Sequence, residues 1–206
     1  MNLDLRTLTP AQAAKFSELV SSKGTGSGAR VLRPFIQYDY QSYAAAGSTG
    51  LTFFNTSGAQ KDLSDALTVR CSNQVQAGIM DEPLLVTHIS VDFITTVGVP
   101  ATDVIDIVKF YQSGRLAISI NDKEVYELAP LGKAGSSYGT AGFVGGTNGT
   151  PIANAYAINR PLKLDLPVLI DEQLRFKVTM NWTTVVAVTT AARVGVNLHG
   201  IKSFKA

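Results

Sequence analysis

The chain carries one thiol and two imidazoles, Cys71, His88 and His199. A catalytic thiol needs an imidazole beside it to take its proton, and the sequence leaves the distance from Cys71 to either histidine open. A buried structural thiol is the plainer role, because free cysteine is among the most buried residue types. Zinc needs three or four thiolate, imidazole or carboxylate ligands, and these three scattered residues do not make such a set. A single cysteine also excludes an intramolecular disulfide. The adjacent carboxylates Asp81-Glu82 and Asp171-Glu172 have the residue types of a glycosidase pair. That chemistry requires two carboxyl groups on opposite sides of a glycosidic bond, whereas neighbours at the start of a strand both turn to water. Gly24-Thr25-Gly26-Ser27-Gly28-Ala29 fits the loose dinucleotide pattern, which must follow a strand and open a helix. Here a helical segment precedes it, so it reads as a linker. The phosphate-loop pattern G-x-x-x-x-G-K-[ST] does not occur. The aromatic group Tyr38, Tyr40, Tyr43, Phe53 and Phe54 could stack on a sugar, although core and interface packing is the commoner use of such rings. No catalytic, cofactor-binding or metal-ligating residue is assigned, and no cofactor is expected.

The elements that would position these residues are mostly strands. Alternation is clearest at Leu174–Trp182, where every even residue is apolar, and at Arg193–His199. Such a period of two means a sheet with one buried face. Leu84–Thr95 reads the same way, with Leu85, Thr87, Ile89, Val91 and Phe93 on one side and Val86, His88, Ser90 and Asp92 on the other. Further strands are expected near Val31–Tyr40, Gly50–Asn55 and Ala66–Ser72. Leu116–Ile120 and Glu124–Leu128 flank Asn121-Asp122 as a hairpin. Two helices are expected. Thr9 caps the first, with Pro10 at its first position and Gln12 completing a capping box. Its face carries Ala13, Phe16 and Val20, and at about a dozen residues it must dock on something to persist. Thr102 caps the second, over Asp103–Ser113, and Gly114 stops it; its β-branched residues leave a strand as the alternative there. Between Leu128 and Pro161 little regular structure is expected, since residues 132–150 hold seven of the eighteen glycines.

The chain has 206 residues, 45% of them hydrophobic and only 17% charged. About a quarter charged is usual for a soluble domain, so the surface is one able to bury against neighbours. No apolar run reaches the ~18 residues of a membrane-spanning helix, and Met1–Arg6 lacks the basic and apolar regions of a signal peptide. Charge is unevenly placed. Residues 1–34 carry Arg6, Lys15, Lys23, Arg30 and Arg33 against Asp4 and Glu18, and residues 193–206 carry Arg193, Lys202 and Lys205 with no acid. The body between them is net acidic, which suggests one side turned to a polyanion.

Several segments together resemble the jelly-roll coat proteins of viruses and bacteriophages. They are Phe110–Glu124 with Tyr126 and Pro130, then Pro161–Ile170 leading into Leu174–Trp182, and the closing strand Arg193–Ile201. The resemblance covers residues 30–206 and implies an all-β fold, a single jelly-roll β-sandwich with a short N-terminal helix and one internal helix. Residues 1–29 form a helical arm and Gly/Ser linker, and residues 129–160 form a long Gly-rich loop. The implied function is that of a self-assembling capsid subunit, a structural protein of the virion and not an enzyme. Its partners would be further copies of itself and other virion proteins, with non-specific contact to nucleic acid or an internal membrane. Phe16, Leu19 and Val20 are expected to be the assembly arm's apolar contacts, and Lys15, Lys23, Arg30 and Arg33 to face the polyanion. The alternative is a receptor- or carbohydrate-binding β-sandwich of a phage spike or fibre.

Overall fold

Ten strands are present in the computed structural model, which describes residues 30–56, 71–95, 109–134, 140–145, 151–156, 161–189 and 191–205, with parts of a helix between Thr9 and Ser17. They are β1 (Arg30–Tyr43), β2 (Gly50–Phe53), β3 (Leu84–Thr95), β4 (Gly114–Ile120), β5 (Lys123–Leu128), β6 (Thr140–Gly145), β7 (Pro151–Tyr156), β8 (Leu162–Ile170), β9 (Phe176–Trp182) and β10 (Ala192–Lys205). Two four-stranded sheets result. Sheet A has the order β1-β10-β3-β8, and sheet B the order β2-β9-β4-β5. All pairings within them are antiparallel. The chain is an all-β sandwich.

Alternation decides which side chains enter the core. Phe176, Val178, Met180 and Trp182 of β9 are buried, while Asn181 is exposed and Lys177 and Thr179 are half-buried. Facing them across the interior are Val194, Val196 and Leu198 of β10 and Ile89, Val91 and Phe93 of β3. One end of the sandwich is plugged by rings. Tyr43, Phe93, Phe110 and Trp182 lie with centroids 4.8–6.2 Å apart. Phe110 belongs to Lys109–Ser113, the described part of the expected internal helix. Trp182 Nε1 donates to the Phe110 carbonyl at 3.1 Å, which ties that turn to β9. The aromatic group read as a possible sugar platform is divided: Tyr43, Phe53 and Phe54 are in the core, and Tyr38 and Tyr40 lie on the outer face of sheet A.

Two readings are corrected. The first concerns β3, whose alternation does not run unbroken. The register against both neighbours slips around Thr87, so that Val86 pairs with Gly200 and His88 with His199. Thr87 is a bulged residue, and a bulge turns every side chain beyond it to the other face. Leu84 and Val86 therefore join the core, and Leu85 does not. The bulge brings the backbones close, and a Cβ at Gly200 would sit 1.9 Å from the Leu85 carbonyl oxygen. The second concerns residues 129–160, which contain a 3-10 turn (Leu131–Ala134) and the hairpin β6–β7. Glycine spacing hid the Thr-Ala-Gly-Phe-Val and Ile-Ala-Asn-Ala-Tyr runs that pair there. The segment read as strand Ala66–Ser72 lies mostly outside the described residues; its described end, Cys71-Ser72, is a bend with a single bridge from Ser72 to Asp39. Of the helix read over Asp103–Ser113, residues 103–108 lie outside the described ones and residues 109–113 are helical.

Candidate functional site

Of the seven residues expected to act in assembly, Lys15, Phe16, Leu19, Val20 and Lys23 lie outside the described residues. Arg30 and Arg33 open β1, opposite Lys205 and Lys202 at the far end of β10. Antiparallel pairing thus brings the basic N-terminal and C-terminal segments together at one tip of sheet A, a juxtaposition that charge counting alone does not reveal. Lys202 is the exception within this tip. It is 3% exposed, its Nζ lies 2.5 Å from Asp81 Oδ1, and the rings of Phe35 and Phe204 flank it at 4.6 and 5.5 Å. Its charge is already neutralised. Arg33 is exposed, with its guanidinium 5.9 Å from the Phe204 ring. Arg193 is buried and partnered.

The outer face of sheet A holds a more ordered polar array. Register sets three rows across β1, β10 and β3: Tyr40–Gly195–Asp92, Tyr38–Asn197–Ser90 and Ile36–His199–His88. Lys163 of β8 extends the last row beside His88. Glycine in the first row lets the Tyr40 ring lie flat over β10, since a Cβ at Gly195 would fall 2.1 Å from Tyr40 Cε1. Tyr40 Oη then reaches across the strand and donates to Asp92 Oδ2 at 2.5 Å. Asn197 Nδ2 donates to the same carboxylate oxygen at 2.8 Å and to Ser90 Oγ at 3.2 Å. Ser90 Oγ lies 3.0 Å from His199 Nε2, and Thr87 Oγ1 lies 2.9 Å from His88 Nδ1. Sequence reading placed the two histidines only in separate strands. Their outward parity was legible, and their pairing needed the register.

A serine beside an imidazole is the constellation of an activated nucleophile. Here Ser90 is 2% exposed and its oxygen also accepts from Asn197. The hydroxyl is a link in a buried chain and offers no approach to a substrate. Both imidazoles are held below the ordinary histidine range. Burial is the largest cause for each; the Lys163 charge adds to it at His88, and His88 adds to it at His199, where Asp92 pulls the other way. No group of three metal-ligating side chains occurs among the described residues.

Two concavities lie elsewhere on the described surface. One, of about 430 Å³, lies where the Asn121-Asp122 turn meets Arg175 and Gly78. The other, of about 540 Å³, is an apolar groove between the edge strands β5 and β8, walled by Val125, Leu166 and Ala11 of the N-terminal helix. Neither converges titratable groups on an enclosed point. No protein-family model, characterised protein or solved structure matches the chain.

Proposed function

We propose that this protein is a single jelly-roll capsid subunit, a structural protein of the virion without catalytic chemistry of its own. The observation that carries the reading is nested pairing. Among the eight sandwich strands the first pairs with the last (β1·β10), the second with the seventh (β2·β9), the third with the sixth (β3·β8) and the fourth with the fifth (β4·β5). A long antiparallel hairpin folded over into two sheets has this order, which supports the jelly-roll reading. The hairpin β6–β7 is then an insertion between its fifth and sixth strands. Surface character supports assembly. Leu166 and Val185 are each 56% exposed and Ile36 47% exposed, on different strands and loops, so more than one side can bury apolar area against another copy. The basic tip at Arg30, Arg33 and Lys205, continuous in sequence with Lys15 and Lys23, suits non-specific contact with nucleic acid or an anionic membrane inside a shell.

The test is the mass and shape of the purified full chain in solution. Sedimentation and negative-stain microscopy are expected to find large, regular, closed particles. Monomers or small trimers that bind glycan instead would overturn the shell reading in favour of a spike or fibre head.

A further inference from the structure

The row His199–His88–Lys163 stands apart from the tip that the capsid reading uses, and nothing in that reading requires it. His88 and His199 are direct partners across β3 and β10, and His88 and Lys163 are direct partners across β3 and β8. Lys163 is exposed and has no ion pair among the described residues, and His88 is half-buried with only its Nδ1 engaged. From these positions we propose that the row is an oxyanion site opened by protonation, and that phosphate is the group it takes.

At neutral pH the row holds one charge, on Lys163. Ser90 Oγ accepts from Asn197, so its own proton is available to His199 Nε2, which suits a neutral ring. The other groups facing the row do not neutralise it. Asp92 lies two rows away, is held by Tyr40 and Asn197, and only partly offsets the effects of burial and of His88 on His199. Asp165, two residues along β8, acts on Tyr126 of β5. From β1 come only Ile36, Tyr38 and Tyr40. Acidification therefore assembles three cations in line with no carboxylate among them. Like charges directly opposite one another on neighbouring strands destabilise a sheet, and an oxyanion bridging them removes that penalty. Thr87 Oγ1 lies beside His88 Nδ1 and donates to the His199 carbonyl at 3.3 Å, so it orients the row and is not itself a donor to the anion.

The linkage has a definite sign. Both imidazoles titrate lower in the folded chain than in the unfolded one. The unfolded chain therefore takes up protons first, and stability fully present above about pH 6.5 is lost as pH falls from there through the lower folded-state values. A ligand that binds only the protonated folded form restores part of it.

The test follows the imidazole Cε1–H signals of both histidines by NMR, in the isotopically labelled full chain, from about pH 8 to about pH 5. Sodium phosphate is compared with sodium chloride at equal ionic strength. Phosphate is expected to raise both apparent pKa values by about half a unit or more, and to bind roughly tenfold tighter at pH 5.5 than at 7.5. Phosphate is more negative at the higher pH, so tighter binding at the lower one reports the imidazoles. Lys163→Gln, at an exposed position, should keep the fold and weaken binding several-fold. Identical titrations in the two salts, or an unchanged affinity in Lys163→Gln, would overturn the proposal. A short single-stranded oligonucleotide at pH 5.5 decides the source of the phosphate: tighter binding than inorganic phosphate points to a phosphodiester chain, and no gain points to the free ion.

Discussion

Two buried carboxylates organise sheet A by different means. Asp39 faces inward and accepts the Phe54 N–H at 2.6 Å, holding a residue whose φ is 64° where the chain leaves β2. Asp92 faces outward, 4% exposed, and gathers Tyr40 and Asn197 from the two strands beside it. A carboxylate so placed depends on its donors, because an unsatisfied buried charge costs far more than a hydrogen bond returns. Tyr40→Phe deletes the shorter of the two contacts and leaves the ring over Gly195 in place. The loss should be about 1.5–3 kcal/mol, the usual worth of a hydrogen bond to a charged group. In a domain of this size that lowers the thermal midpoint by roughly 3–10 °C. Tyr38→Phe is the matched control, one row away on the same face and half-buried, with no hydrogen bond to its hydroxyl among the described residues. It should change stability by less than about 0.5 kcal/mol. Calorimetry of both variants checks this, and equal midpoints would mean that Asp92 is satisfied without Tyr40.

Elements were legible in the sequence to the extent that one physical signal governed each. β9 follows unbroken alternation, and its buried residues are those that periodicity names. The β4–β5 hairpin is announced by Asn121-Asp122, both at positive φ as a tight two-residue turn requires. β3 was legible in extent and wrong in phase before Thr87, because a bulge leaves no mark in a hydrophobic pattern except the glycine opposite it, Gly200. The polar rows of sheet A were illegible as a site. Each member is an ordinary outward residue, and only register across strands far apart in sequence assembles them. β6 and β7 were missed because glycine and small residues dilute β-propensity. These two strands pair with each other and with neither four-stranded sheet. A lone two-stranded hairpin is marginal in water, so it should add little to the stability of the sandwich. Replacing residues 139–156 by a short Gly/Ser linker should move the thermal midpoint by no more than about 3 °C, roughly 1 kcal/mol in a domain of this size. A much larger fall would place the hairpin within the cooperative core.

For the whole molecule, the pairing of the first and last strands sets where the N-terminal arm begins. β1 starts at Arg30 opposite Lys205, so residues 1–29 join the fold at that basic tip. Their Gly/Ser-rich stretch, residues 21–29, can span up to ~30 Å when extended. At the far end of the arm, Ala11 walls the groove between β5 and β8, which are the edge strands of the two sheets on one side of the sandwich. Uncovered edges are templates for indiscriminate pairing, and β8 carries an edge device of its own in Pro167. The arm is therefore expected to control association without holding the subunit together. Deleting residues 1–28 removes none of the ten strands, so circular dichroism should retain the β signal and the thermal midpoint should stay within about 5 °C, or ~1–2 kcal/mol at this size. Association should change in kind. The truncated chain should form irregular aggregates in place of regular particles, because the β5/β8 groove loses its Ala11 wall and the chain loses Phe16, Leu19 and Val20, the apolar residues expected to dock on a neighbour. Salt separates this from loss of the basic groups. Contacts to phosphate weaken steeply as salt rises, whereas apolar docking holds and strengthens in sulfate. Regular particles of normal size from the truncated chain, in low salt and in sulfate alike, would show that the arm has no part in assembly.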